Sequence, residues 1–123
     1  MFGMKDSESA NPFSSSATTL IAEGTEVEGD LNFKGNLEIQ GSVTGNILSD
    51  DEGARVRILQ GGSIQGEVWV SHVVVNGNVK GDIFASKQVK LASKAVVEGN
   101  IHYNLIEIER GAEVVGSFVH EQP

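Results

Sequence analysis

An all-β fold, a right-handed, three-sided parallel β-helix of about six coils, is expected from this sequence on three grounds. The first is a refrain. GSVTGNI (Gly41–Ile47) returns as GSIQGEV (Gly62–Val68) and GNVKGDI (Gly77–Ile83). Looser copies are AVVEGNI (Ala95–Ile101) and AEVVGSF (Ala112–Phe118), with a faint one, TEVEGDL, at Thr25–Leu31. The second is spacing: the anchor glycines Gly29, Gly45, Gly66, Gly81, Gly99 and Gly116 are separated by 16, 21, 15, 18 and 17 residues. The third is period. Apolar residues alternate with polar ones, as in Val89-Lys90-Leu91 and Ile106-Glu107-Ile108, and no segment keeps a helical stripe.

These grounds combine into one unit. About 17 residues hold three short strands and three corners, and a unit that small cannot bury its own apolar face. It must stack on copies of itself. Ahead of each anchor lies a second apolar piece: Leu37/Ile39, Val56/Ile58, Val73/Val75, Val89/Leu91, Ile106/Ile108, and in the first copy Thr19/Ile21. Ile39 and Val75 stand six residues before their anchors and the others eight, so two repeats have a corner shortened by two residues. The Asp or Asn after several anchors (Asp30, Asn46, Asp82, Asn100) suits turns. Stacked at ~4.8 Å per coil, six coils make a rod of roughly 29 Å. A left-handed hexapeptide helix is the competitor. Leu31, Leu37 and Val43 obey a hexad, but the next position is Ser49 in an acidic stretch, and the anchor spacings are not multiples of six.

Along the chain, residues 1–17 are Ser-rich and read as a disordered tail, 18–119 as the β-helix, and 120–123 as a stub. At 123 residues one domain is expected. A net charge of −8 opposes nucleic-acid binding, which needs clustered Lys and Arg. There is no Cys, hence no disulfide or thiolate metal site. The apolar stretch at the start is too short for a secretory signal, so a cytoplasmic location is expected.

No catalytic constellation appears. His72, His102 and His120 lack metal-ligand spacing, and no phosphate-binding Gly-rich loop is present. Neither cofactor nor metal is expected. Asp50-Asp51-Glu52-Gly53 fills the 21-residue interval and lacks the spaced oxygen pattern of a Ca²⁺ loop, so a solvated loop is the reading. Two features remain. A solenoid end exposes strand edges and the apolar column beneath. At the C-terminal end either Phe118 folds over as a plug, or coils stack between subunits through Phe118, Val114 and Ile108. The second is the expectation, with Leu20, Ile21, Val27 and Leu31 as the opposite face. Two such ends make a filament. The other feature is Met1-Phe2-Gly3-Met4, either an ordinary start or a minimal membrane anchor that acts by avidity along a polymer.

LIAEGTEVEGDLNFKGNLEIQGSVTGNI (Leu20–Ile47), with the GNVKGDI and VVEGNI returns, resembles the bactofilins, a bacterial cytoskeletal family. The resemblance spans Thr18 to Phe118. It implies a right-handed β-helix that polymerises end to end, without nucleotide, into non-polar filaments on the cytoplasmic face of the inner membrane. There it would position cell-wall synthesis or hydrolysis proteins. It also implies a polymerisation role for the terminal-coil Phe118 and a membrane-targeting role for Met1, Phe2, Gly3 and Met4. A small β-helical enzyme or binding module whose side grooves recognise a sugar or nucleotide-sugar is the alternative, and a discrete scaffold oligomer a third.

Overall fold

A computed structural model describes residues 17–121. The expected tail lies outside the described residues, except for Ala17. Eighteen strands, β1 to β18 in chain order, form three six-stranded parallel sheets. The first sheet takes the opening strand of each coil: β1 (Thr18–Ile21), β4 (Asn36–Ile39), β7 (Arg55–Ile58), β10 (His72–Val75), β13 (Gln88–Leu91) and β16 (Leu105–Ile108). The second takes β2 (Glu26–Glu28), β5 (Ser42–Thr44), β8 (Ser63–Gln65), β11 (Asn78–Lys80), β14 (Val96–Glu98) and β17 (Glu113–Val115). The third takes β3 (Leu31–Asn32), β6 (Ile47–Leu48), β9 (Val68–Trp69), β12 (Ile83–Phe84), β15 (Ile101–Tyr103) and β18 (Phe118–His120). Every strand therefore pairs with its counterpart one coil away, the three-sided parallel β-helix of six coils that the repeats imply.

The anchor glycines form a ladder at the corner between the second and third sheets. Gly66 has φ +149°, a region that L side chains avoid, and a Cβ there would lie 2.0 Å from the carbonyl oxygen of Gly45 beneath it. Gly81 repeats this geometry over Gly66. The refrain is thus a steric requirement, since each coil passes so close to the next that only hydrogen fits. The residue after the anchor does more than turn the chain. Its side chain accepts the backbone N–H of the equivalent residue one coil on: Asp30 from Asn46, Asn46 from Glu67, Asp82 from Asn100 (each 2.9 Å), and Asn100 from Ser117 (3.1 Å). These amides would otherwise be orphaned at a corner.

The two shortened corners are where the spacing put them. Coils 2 and 4 pass from the first to the second sheet through residues 40–41 and 76–77, the other coils through four-residue corners. Four-residue corners close with a turn hydrogen bond, as from Gly62 N–H to the Leu59 carbonyl at 2.8 Å.

Inside, the side chains line up in columns of Val, Ile and Leu. Ile39, Ile47, Ile58, Val68, Val75, Val79, Ile83, Val89 and Leu91 are fully buried. Outside, the first sheet is charged and the second mostly polar. The third carries a stack of rings: Trp69 on Phe84 (centroids 3.8 Å, 12° apart) and Phe84 on His102 (4.4 Å, 16°). The Trp69 indole N–H donates to the Glu67 carboxylate at 2.9 Å.

Candidate functional site

The interior becomes surface where the columns end. In the first sheet one column runs Ile21, Ile39, Ile58, Val75, Leu91, Ile108 in strict register. Leu91 is completely buried. Ile108, with no coil over it among the described residues, is 53% exposed. In the third sheet Ile101 is buried, and Phe118, its partner one coil on, is 45% exposed. Val97 is buried and its partner Val114 half-buried. The three residues expected at this end are therefore core side chains by register, lacking only their cover. Phe118 continues the column in register with Ile101, with its ring edge-on to Tyr103 (centroids 6.5 Å, 79°).

At the opposite end Ile21 is 8% exposed, and Val27 and Leu31 are half-buried against the core. Leu20, expected with them on this end face, lies elsewhere. It pairs with Glu38 in register and points to the outer face of the first sheet, 53% exposed, because strand alternation gives the inward position to Ile21. Two end residues were not singled out. Phe33 and Tyr103 both pack against the core at the exits of third-sheet strands, Phe33 at one end and Tyr103 under Phe118 at the other. Their common signal is position, two residues after the inward Leu31 and Ile101. Met1, Phe2, Gly3 and Met4 lie outside the described residues.

Each terminal strand has one neighbour in its sheet: β1, β2 and β3 at one edge, β16, β17 and β18 at the other. The backbone groups on the open side of these strands have no neighbouring strand among the described residues, and pairing with a second copy would supply one. Among the described residues the two ends share one chemistry, an apolar centre framed by terminal strands with one neighbour each.

A family model of polymer-forming cytoskeletal proteins matches residues 19–119, nearly the whole solenoid. The chain belongs to the bactofilins. A curated bactofilin relative, BacO of Myxococcus xanthus (strain DK1622), is 29% identical over 101 residues, covering 82% of this chain and 78% of the relative. The solid-state NMR structure of the cytoskeletal bactofilin BacA superposes with a TM-score of 0.75 at 29% identity, over 86% of this chain and 98% of that one. The bactofilin solenoid is thus shared along its length, end coils included.

Two polar side chains of this bactofilin, Asp51 and His102, have partners that tie neighbouring coils together. Asp51, in the acidic insertion, accepts Gly53 N–H at 3.0 Å and Gly35 N–H at 3.2 Å, and these bonds hold its carboxyl below the ordinary carboxylate range. It staples its loop to the preceding coil. His102 pairs with Glu121 at 2.9 Å beneath the last coil's exit. Among the described residues no group of three His, Cys, Asp or Glu could hold a metal ion. None of their helices is long and apolar enough to cross a membrane.

Proposed function

We propose that this bactofilin is a non-enzymatic scaffold that polymerises without nucleotide through both ends of its β-helix. The observation that carries this reading is the uncovered interior at the C-terminal end, where Ile108, Val114 and Phe118 continue fully buried columns into solvent. A second copy stacked there extends three sheets and buries those side chains at once. Covering the Phe118 ring alone contributes about 1.5–3 kcal/mol for full burial, and less here because the ring is already half-covered. The energy comes from edge pairing and apolar contact, so assembly requires no hydrolysable ligand. Contact of like end with like end gives non-polar filaments. We place them on the cytoplasmic face of the inner membrane, tethered by Met1-Phe2-Gly3-Met4, where they position cell-wall proteins.

Negative-stain electron microscopy without nucleotide tests the contact. Wild type should form filaments. Phe118→Arg should remain as single rods, because a guanidinium at the stacking face would be buried unpaired. Normal filaments from that variant would remove Phe118 from the interface. Single rods in both samples would favour the ligand-binding module. For the tether, Phe2→Glu should assemble normally but float with lipid vesicles far less than wild type. Undiminished flotation would contradict a role for the start of the chain.

A further inference from the structure

The cations of this acidic chain are unevenly distributed over the solenoid. The outer face of the second sheet carries Lys80 alone and that of the third carries none, whereas the first sheet carries Arg55, Arg57 and Lys90. Arg55 and Arg57 are both outward residues of β7, two apart on one strand, so they stand on the same face. Val74, on the next strand, pairs in register with Arg57 on one side and Lys90 on the other. A short side chain between two long ones leaves a recess. Its volume is about 360 Å³, with Arg55, Arg57, His72, Gln88, Lys90 and Glu107 around Val74.

The cations of this recess are weakly engaged. Arg57 reaches Glu38 at 3.5 Å and Lys90 reaches Glu109 at 3.7 Å, both between partly exposed side chains, where such pairs contribute little. Arg55 pairs with no carboxylate among the described residues. His72 pairs with Arg55 in register, and its Nδ1 is buried without a hydrogen-bond partner. Two guanidinium forks and an ammonium line this one depression, and swinging Arg57 off Glu38 and Lys90 off Glu109 would turn all three onto a tetrahedral oxyanion. The forks donate paired N–H bonds that a phosphate can accept on two oxygens. At equal distance a dianion attracts each of these cations more strongly than a single carboxylate such as Glu38 or Glu109 does.

We propose that the Val74 recess binds a phosphate group, through Arg55, Arg57 and Lys90. The phosphate could be free or carried by a lipid headgroup, and the chemistry of recognition is shared. In a polymer the recess recurs once per subunit, so weak single contacts with an anionic lipid surface would add by avidity.

Phosphorus NMR of inorganic phosphate at fixed ionic strength is the first test. Full-length wild type should broaden the phosphate line. The Arg55→Glu/Arg57→Glu variant should reduce the effect by about tenfold, and Lys80→Glu on the second sheet should leave it unchanged. Val74→Trp, which narrows the recess and keeps every charge, should weaken broadening as well. Equal broadening by the double Arg variant, or none by wild type, would overturn the proposal. The source is read from flotation of the full chain carrying Phe2→Glu, so that the start of the chain cannot account for lipid binding. Flotation with phosphatidylglycerol vesicles but not phosphatidylcholine vesicles, lost on adding Arg55→Glu/Arg57→Glu, assigns the headgroup. Line broadening without such flotation assigns free phosphate.

Discussion

Gly81 shows how a single residue type carries the architecture. Its φ of +142° and the Gly66 carbonyl oxygen, 2.1 Å from where a Cβ would sit, are two independent reasons for glycine. Gly29 stands in the first coil with φ +115° and nothing within 4 Å of its hypothetical Cβ, so only the first reason applies. Gly29→Ala should therefore cost about 1 kcal/mol of subunit stability, the backbone penalty alone. Gly81→Ala must also push two coils apart and should cost about 3 kcal/mol or more. Urea unfolding of both variants, each made with Phe118→Arg to keep the protein dispersed, measures the difference. Equal losses would mean that close approach between coils is not what fixes the ladder. Asp51 makes a related point: it is one of four consecutive insertion residues and alone stitches the loop to Gly35. Composition marks the insertion as solvated without distinguishing the one carboxylate that has backbone partners.

At the scale of strands and corners, what the sequence discloses depends on contrast between neighbours. Val89-Lys90-Leu91 has it: two apolar residues flank a charge, and the inner face follows. Gly41 and Gly77 disclose the two short corners for the same reason, as the spacing from the last apolar residue to the anchor drops by two. Leu20-Ile21 has no contrast. Both are apolar, and only pairing with Glu38 and Ile39 shows that Leu20 faces outward. The ring stack is likewise silent in sequence, because Trp69, Phe84 and His102 lie 15 and 18 residues apart and meet only through coil register. Of the site, Phe118, Val114 and Ile108 were legible as last members of visible columns, whereas the support of Tyr103 required the fold. Register also separates two kinds of apolar strand residue. Ile83, in β12, is enclosed on both sides, and Ile83→Ala should cost about 2–5 kcal/mol of subunit stability. Ile108, in β16, is half out of the core, so Ile108→Ala should cost under about 1 kcal/mol in the dispersed subunit yet raise the critical concentration for assembly. Unfolding curves and pelleting assays report the two quantities separately. Ile108→Ala with unchanged critical concentration would show that its column ends at the subunit boundary.

Over the whole rod, charge opposes what the apolar ends favour. Coil 1 carries Glu23, Glu26, Glu28 and Asp30 against Lys34, and coil 6 carries Glu107, Glu109, Glu113 and Glu121 against Arg110. The four coils between them hold Arg55, Arg57, Lys80, Lys87, Lys90 and Lys94, close to balance with their acids. Much of the −8 therefore sits at the two ends. Whichever ends meet, acidic rim faces acidic rim around an apolar centre. Repulsion between exposed charges extends about 30 Å at 0.01 M salt and about 8 Å at 0.15 M, whereas apolar burial changes little over that range. Assembly should therefore strengthen with salt, the reverse of a contact held by ion pairs across the junction. Raising sodium chloride from 0.01 to 0.15 M should lower the critical concentration by about tenfold, equivalent to ~1.4 kcal/mol per junction. Glu26→Gln with Glu113→Gln, which removes one rim charge from each end on the second sheet, should lower it at low salt and flatten its salt dependence. Sedimentation across a salt series reads both effects. Filaments that dissolve as salt rises would place complementary charges, rather than two acidic rims, at the junction.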